Sequence, residues 1–300
     1  MKITDILKNN STSFSFEFFP PKTEQASKKL FEHIKQLVPL QPAYVSVTYG
    51  AGGTTRTLTH DLVMQIQDRT DLTVVPHLTC VGASKDEIYS IVGEYKEKGI
   101  ENILALRGDP PEGEDTFVPP KDGFHYAADL VDFIKRNFPD MGIGVAGFPE
   151  GHHKTPNRLM ELDYLKKKVD KGADYICTQM FFDNNDFYDF SERCELAGIN
   201  IPIIAGIMPI TSKKGMSKMA ELSAGSRFPA PLLRALNRVE DDSKVKNVGI
   251  HWATNQVRDL LDNGVKGIHL YTLNRSNAAK QIYETLGVTN SEQLAGTGTA

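Results

Sequence analysis

Eight short runs rich in apolar and β-branched residues recur along the chain, and each is followed by a stretch with helical spacing. No other feature restricts the fold as strongly. The runs are residues 14–19, 43–49, 72–78, 102–106, 142–148, 174–180, 202–208 and 267–273. Most are near-continuously apolar rather than alternating, as expected of parallel strands covered on both faces. Segment 24–38 puts Leu30, Ile34 and Leu37 on one helical stripe, and 58–67 does the same with Leu62, Val63 and Ile66. Segment 84–98 opens with Ser84 and Glu87, an N-cap and N3 pair, and stops at Gly99. Helical segments 124–138, 157–171, 185–197, 213–222 and 248–262 follow, several of them ending in glycine (Gly172, Gly198, Gly264). Segment 276–286 is the last. Eight β units each followed by a helix predict an α/β fold, a (β/α)8 TIM barrel. A doubly wound sheet is the competing arrangement, and eight is the number that closes a barrel. An extra helix is expected at 229–239, between strands seven and eight. No Pro/Gly/Ser-rich linker divides the chain, so one domain over residues 1–300 is expected.

Composition narrows the function classes. Thirty-four Lys and Arg against 38 Asp and Glu give a net charge of −4, with a pI near 6.1. That argues against a nucleic-acid partner, whose binder would carry a basic surface. Apolar residues at 40% and charged residues at 24% support a real core. Mean hydropathy is −0.32, and no apolar run approaches the roughly 20 residues of a membrane helix. The N-terminus lacks a secretory apolar stretch. Cys80, Cys177 and Cys194 sit at no metal-ligand spacing, and one is left over in any disulfide scheme. A reduced, cytoplasmic protein with no membrane partner and no metal site is expected.

In a barrel of this type the chemistry gathers at the C-terminal ends of the strands. Glu17 stands out there, inside the aromatic run Phe14-Ser15-Phe16-Glu17-Phe18-Phe19. Apolar neighbours disfavour the charged carboxylate, which would raise its pKa and suit it to general-acid work. The same pattern equally fits a strand carboxylate paired with Arg or Lys across the barrel. Asp109 follows strand four in a loop stiffened by Pro110-Pro111, as a second reacting carboxylate or as the partner of Arg107. Arg107-Gly108-Asp109 also spells the adhesion tripeptide, which carries no weight in a chain without an export signal.

Glycine and basic clusters need sorting. Gly142-Ile143-Gly144-Val145-Ala146-Gly147 fits G-x-G-x-x-G, but it lies inside a strand and no helix starts at its third glycine. A dinucleotide fingerprint requires strand, turn and helix in that order, so the match is rejected. Loop 50–55 lacks the Lys-Ser/Thr of a P-loop and is either a ligand contact or a plain turn. His152-His153 has no third ligand nearby and suits a hydrogen bond or phosphate contact better than zinc. Lys166-Lys167-Lys168 reads as a solvated helix face or as one lysine meeting a phosphate, and for Lys166 the solvated face is favoured.

Seven segments taken together carry a resemblance. They are Phe16-Glu17-Phe18-Phe19-Pro20-Pro21-Lys22, Val45-Ser46-Val47-Thr48-Tyr49-Gly50-Ala51, Pro76-His77-Leu78-Thr79-Cys80, Ala105-Leu106-Arg107-Gly108-Asp109, Thr178-Gln179-Met180-Phe181-Phe182-Asp183, Gly206-Ile207-Met208-Pro209 and Tyr271-Thr272-Leu273-Asn274-Arg275. In this order, all at strand ends, they resemble the methylenetetrahydrofolate reductase family from about residue 14 to residue 288. The resemblance implies an FAD-containing (β/α)8 barrel that reduces 5,10-methylenetetrahydrofolate to 5-methyltetrahydrofolate, the methyl donor for methionine synthesis. It implies a ping-pong scheme in which NADH or NADPH reduces FAD and the folate then takes the same place.

Carried over by position, Glu17 resembles the general acid that opens the imidazolidine ring. Asp109 resembles the carboxylate near the flavin and the pterin. Gln179 matches the amide that contacts substrate, and Leu273 and Arg275 match the folate side. Thr48, His77, Arg107, Gly108, His152 and Lys168 match FAD-holding positions. Phe148, Glu161 and Lys167 belong to the same set but depart from a bacterial relative, which has Tyr, Asp and Arg there. Met219 stands where that relative has Phe against the folate's aminobenzoyl ring, and sulfur–aromatic contact would partly substitute.

Two competing readings remain at this stage. One is another flavin barrel, of the proline-dehydrogenase type, that oxidises a small amine and has no use for an acid at Glu17. The other is a non-catalytic barrel. No Arg cluster for a 2′-phosphate is evident, and bacterial relatives favour NADH. Family members form dimers and tetramers, so a homo-oligomer is expected. Eukaryotic members add a C-terminal domain that binds S-adenosylmethionine; a chain ending at Ala300 is expected to be the bare catalytic barrel.

Overall fold

A strand buried on both faces sends alternate side chains into two different environments. The computed structural model, which describes residues 1–49, 56–110, 118–223 and 225–295, resolves that alternation strand by strand. In β1 (Ser13–Phe18) the phenylalanines Phe14, Phe16 and Phe18 pack outward in one apolar layer with the surrounding helices. Ser13, Ser15 and Glu17 take the inward face.

The remaining strands are β2 (Tyr44–Val47), β3 (Val74–Thr79), β4 (Asn102–Leu106), β5 (Gly142–Gly147), β6 (Tyr175–Thr178), β7 (Ile203–Ile207) and β8 (Gly267–Tyr271). They form a closed barrel in chain order, every pairing parallel, with β1 paired to both β2 and β8. The predicted (β/α)8 barrel is therefore the fold. The outer helices are α2 (Glu24–Leu37), α3 (Arg56–Arg69), α4 (Lys85–Glu97), α5 (Ala127–Asn137), α6 (Arg158–Asp170), α7 (Asn184–Leu196), α8 (Lys213–Leu222), α9 (Ala230–Asn237), α10 (Asp242–Asp262) and α11 (Asn277–Thr285), with a short α12 (Ser291–Ala295) after them. The capping box at α4 is present: Glu87 N donates to Ser84 Oγ at 3.3 Å and Ser84 N donates to Glu87 Oε2 at 2.8 Å. Helix α9 is the extra helix between β7 and β8. Helix α10 begins at Asp242 rather than at 248, because Asp241 caps it by accepting from Ser243 N at 2.8 Å.

An N-terminal helix, α1 (Ile3–Asn9), is not foreseen by the sequence reading. Its seven residues are too few to show a periodic stripe, yet Ile3, Ile6 and Leu7 are spaced to face one way. They are buried against the inward residues Tyr44, Val75, Leu104, Tyr175, Cys177 and Ile204, and so plug the base of the barrel. Asn102 anchors the plug: its Oδ1 accepts from Ile3 N at 2.9 Å and its Nδ2 donates to Met1 O at 2.8 Å.

The strand glycines explain the discarded dinucleotide motif. A Cβ on Gly144 would lie 2.4 Å from the Tyr175 ring, and one on Gly147 would lie 2.6 Å from Ile176 Cγ2. These glycines make room for large neighbours on β6. Among the described residues no helix is long and apolar enough to cross a membrane, and no three metal-ligating side chains converge. The three cysteines are free and buried.

Substituting Gly144→Ala forces the Tyr175 ring aside, and overpacking of this kind costs about 1–3 kcal/mol. Chemical denaturation should show that loss; unchanged stability would mean that the ring has room to move.

Candidate active site

All eight strands point the same way, so their C-terminal ends share one rim. Glu17 reaches it from the inward face of β1, with its side chain 20% exposed. Its aromatic neighbours in sequence face the helices and are not its neighbours in space. Glu17 therefore does not sit in the apolar pocket that its sequence neighbours suggest. Glu17 Oε2 lies 3.6 Å from His77 Nε2 and 3.7 Å from His269 Nε2. The cross-barrel partner anticipated as Arg or Lys is thus a pair of histidines. Burial drives the His77 imidazole down to about 4, outweighing the upward pull of Glu17, so the ring is neutral at neutral pH. His77 Nε2 and Thr79 Oγ1 are buried without hydrogen-bond partners.

The turn after β8 grips the end of β1. Thr272 Oγ1 donates to Glu17 O at 2.6 Å. The Asn274 side chain accepts from Phe19 N at 2.9 Å and donates to Phe19 O at 2.8 Å. Leu273 and Asn274 both hold positive φ, 51° and 57°, a left-handed pair that is costly outside glycine and is fixed here by those bonds. Leu273 and Phe19 are exposed together at this edge, and Arg275 is exposed beside them.

A second group of predicted residues gathers at the ends of β4 and β5 and on α6. Arg107, Asp109, His153 and Glu161 are the charged and titratable groups that act on His152. Burial is the main cause that lowers the His152 pKa, and His153 adds to it. His152 Nδ1 accepts from Lys154 N at 3.1 Å, which assigns its proton to Nε2. Phe148 stands edge-on to His152 at 4.9 Å.

Two turns apart on α6, Glu161 and Lys168 face inward together. Lys168 Nζ donates to Ala146 O at 2.6 Å. The lysine is half-buried by area but its ammonium is enclosed, and burial pushes it down to about 8 despite Glu161. Glu161 Oε2 is buried without a partner. A cavity of about 240 Å³ opens beside His152, lined also by His153 and Arg158. Gly108 has φ +84°, and a Cβ there would lie 2.6 Å from Val81 Cγ2, so the backbone alone requires glycine at that site.

Other predicted residues divide. Gln179 follows β6, half-buried, with its amide oxygen accepting from Met180 N at 2.9 Å. Thr48 ends β2, half-buried, its N–H donating to Phe18 O at 2.9 Å. Lys167 is exposed, its ammonium 5.3 Å over the Tyr164 ring, and lies outside the Glu161–Lys168 face. Met219 is 3% exposed in an apolar cluster with Met180, Phe182, Met208 and Leu232, and is covered as the structure stands. Loop 50–55 and Pro111 lie outside the described residues.

Sequence reading missed three residues. His269 is visible only if β8 is read with period two, as Gly267, His269 and Tyr271 on one face. Asn274 was seen as a strand end and not as a clamp. Arg227, before α9, donates to Glu150 through its Nε at 2.9 Å and reaches Asp186, holding this segment across the ends of β5 and β6. No local motif marks it.

Residues 2–287 match the family described as methylenetetrahydrofolate reductase. Methylenetetrahydrofolate reductase (NADH) 1 of Arabidopsis thaliana is 41% identical over 305 residues, which covers 98% of this chain and 51% of the plant protein. The chain thus spans about half the length of the plant relatives it matches. The 5,10-methylenetetrahydrofolate reductase of Escherichia coli K12 is 41% identical over 275 residues, 91% of this chain and 90% of the bacterial protein. Among solved structures, an uncharacterized Clostridium thermocellum protein, described as binding two copies of 5-methyl-5,6,7,8-tetrahydrofolic acid, superposes with a TM-score of 0.67 at 18% identity. That match covers 95% of this chain and 99% of the other, and at such identity it speaks to the fold alone.

The enclosed Lys168 makes stability depend on pH. Its folded pKa, about 8, lies below the ordinary lysine value of 10.5, so between them the unfolded chain binds more protons. The ligand-free protein should gain stability as pH rises through that window. Urea denaturation at several pH values should show the gain, and Lys168→Met should lack it; parallel curves would mean that the ammonium is solvated.

Proposed function

The chain belongs to the methylenetetrahydrofolate reductase family, and from that premise we propose that it binds FAD and reduces 5,10-methylenetetrahydrofolate to 5-methyltetrahydrofolate with NADH. The observation that carries the reading is the placement of Glu17: a carboxyl at the barrel mouth, largely enclosed, with two histidines and no Lys or Arg within ion-pair range among the described residues. A carboxyl so placed is positioned to serve a ligand at the mouth as a proton donor. The plant relatives are named for NADH, which supports that reductant over NADPH.

The residues at the ends of β4 and β5 suit FAD. Arg107, the His152 Nε2–H and the Lys168 ammonium are a donor set for a diphosphate. The unpartnered Glu161 Oε2 suits a hydroxyl donor of the same ligand. When bound, FAD would supply the redox chemistry, taking a hydride from NADH and giving one to the folate in separate half-reactions.

Glu17 would give its proton to the ring nitrogen as the C–N bond of the imidazolidine breaks. The nitrogen leaves as a neutral amine, and the carbon becomes a cationic iminium that a hydride converts to methyl. Asp109, exposed at the rim, would favour that cation by its charge. Gln179, Leu273 and Arg275 line the β6–β8 side and would hold the pterin and its tail. Met219 would reach the substrate only if α8 moved.

Three measurements test this. The purified protein should absorb as a flavoprotein, bleach with NADH anaerobically, and recover its colour when 5,10-methylenetetrahydrofolate is added; failure of that last step would sink the assignment. Glu17→Gln should leave bleaching within about threefold of normal while slowing the folate step by about a hundredfold or more; equal loss of both steps would make Glu17 structural. FAD affinity should fall as pH rises through about 8, as Lys168 loses its proton, and a pH-independent affinity would remove Lys168 from the site.

A further inference from the structure

The end of β6 leaves its neighbour strand in an unusual way. Strands β6 and β7 pair through Ile176 with Ile203 and Cys177 with Ile204, and the paired register stops there. In a parallel ladder of this register the next rung would run from Gly206 N to Thr178 O. Instead, Gly206 N donates to the Thr178 side chain, at Oγ1, at 2.9 Å. The threonine hydroxyl thus takes the place of its own carbonyl and leaves that carbonyl for another donor.

The donor comes from two strands away, at the end of β8. The Tyr271 hydroxyl donates to Thr178 O at 2.7 Å. A carbonyl oxygen only accepts, so the direction of this bond is fixed. Cys177 is the other side-chain neighbour of the hydroxyl. Gly206 gives the tyrosine its path across β7: a Cβ there would lie 2.9 Å from both the ring and its hydroxyl oxygen, and 2.4 Å from Thr178 O. His269 meets the same ring edge-on at 5.2 Å.

Gln179 receives the effect of this crossing. Thr178 O and Gln179 N belong to one peptide group, and Gln179 N donates to Gly147 O of β5 at 2.8 Å. Both polar atoms of that group are therefore held, one from β5 and one from β8. A planar group gripped at both atoms cannot turn, so the direction in which Gln179 leaves the main chain is set. The side chain itself folds back onto the same stretch, with Oε1 accepting from Met180 N at 2.9 Å. Met180 O accepts in turn from Ser226 Oγ at 2.7 Å.

We propose that Tyr271 is a positioning residue that acts through the Thr178–Gln179 peptide and aims the Gln179 amide at the pterin of the folate. This rests on the reaction proposed above, in which Gln179 holds the pterin. The hydroxyl hydrogen of Tyr271 is committed to the main chain, and Thr178 Oγ1 is occupied by Gly206 N, so neither replaces the other.

The test uses the flavin-loaded protein and three variants: Tyr271→Phe, Gln179→Ala and the two combined. Tyr271→Phe removes one hydroxyl and keeps the ring, and urea denaturation checks that each variant is folded. The oxidised protein is titrated with 5-methyltetrahydrofolate by calorimetry, a reading independent of turnover. The folate half-reaction is then followed by flavin absorbance against the concentration of 5,10-methylenetetrahydrofolate. Tyr271→Phe should weaken binding about fivefold and raise the half-saturating folate concentration by a similar factor, with the limiting rate within about twofold of normal. In the Gln179→Ala background the same change should alter either figure by no more than about twofold. That non-additivity separates a residue acting through Gln179 from one that only supports the barrel.

A loss of equal size with and without Gln179 would mean that Tyr271 meets the folate itself or braces the rim at large, and it overturns the role. Normal folate binding in Tyr271→Phe also overturns it. A folded, flavin-loaded protein whose reduced flavin is not reoxidised by the folate overturns the proposed reaction, and this role with it. Normal folate turnover with additive variants overturns the role alone.

Discussion

Closure of the sheet between β1 and β8 is the constraint on which the site depends. The ladder that pairs Ser13 with Gly267 and Glu17 with Tyr271 joins residues about 250 positions apart. It brings His269 beneath Glu17 and lets the turn after β8 hold the end of β1 through Thr272 and Asn274. An open sheet of the same strands would leave Glu17 on an edge, far from His269 on β8. Closure fixes the register, and register decides which polar groups share a layer.

The polar inner faces have an energetic counterpart. Barrel interiors are commonly filled by branched apolar residues, but here the inward faces also hold Ser15, Tyr44, Ser46, His77, Tyr175 and His269. Most are paired; the Tyr175 hydroxyl is buried without a partner, a cost of about 1–3 kcal/mol. The outer layer of phenylalanine, isoleucine and valine between strands and helices offsets this. The two faces of one strand are thus divided between stability outside and chemistry inside.

The fold was legible because eight β units and their helices are a long-range count that survives errors at each boundary. Helix α1 was not, since a helix of seven residues owes its existence to the barrel base it fills. The site was legible in part. Glu17 was found through its aromatic neighbours, yet in a strand adjacent residues point apart, so the neighbours that matter come from β3 and β8. His269 was hidden for the same reason: read as a continuous run, β8 is apolar, and read with period two it carries a histidine and a tyrosine inward. In Lys166-Lys167-Lys168 the spacing could not choose, but Lys168 lies two turns from Glu161 on the inward side of α6, while Lys167 rests on Tyr164.

The plug at the barrel base has a consequence for traffic. With Ile3, Ile6 and Leu7 packed against the inner residues below, the described residues close the barrel base beneath Glu17. A ligand that reaches Glu17 from the rim would leave by the same threshold, and the two ligands of the proposed reaction would share it. In the proposed reaction, taking turns would then follow from the shape of the barrel, with no need for a gate to enforce the order.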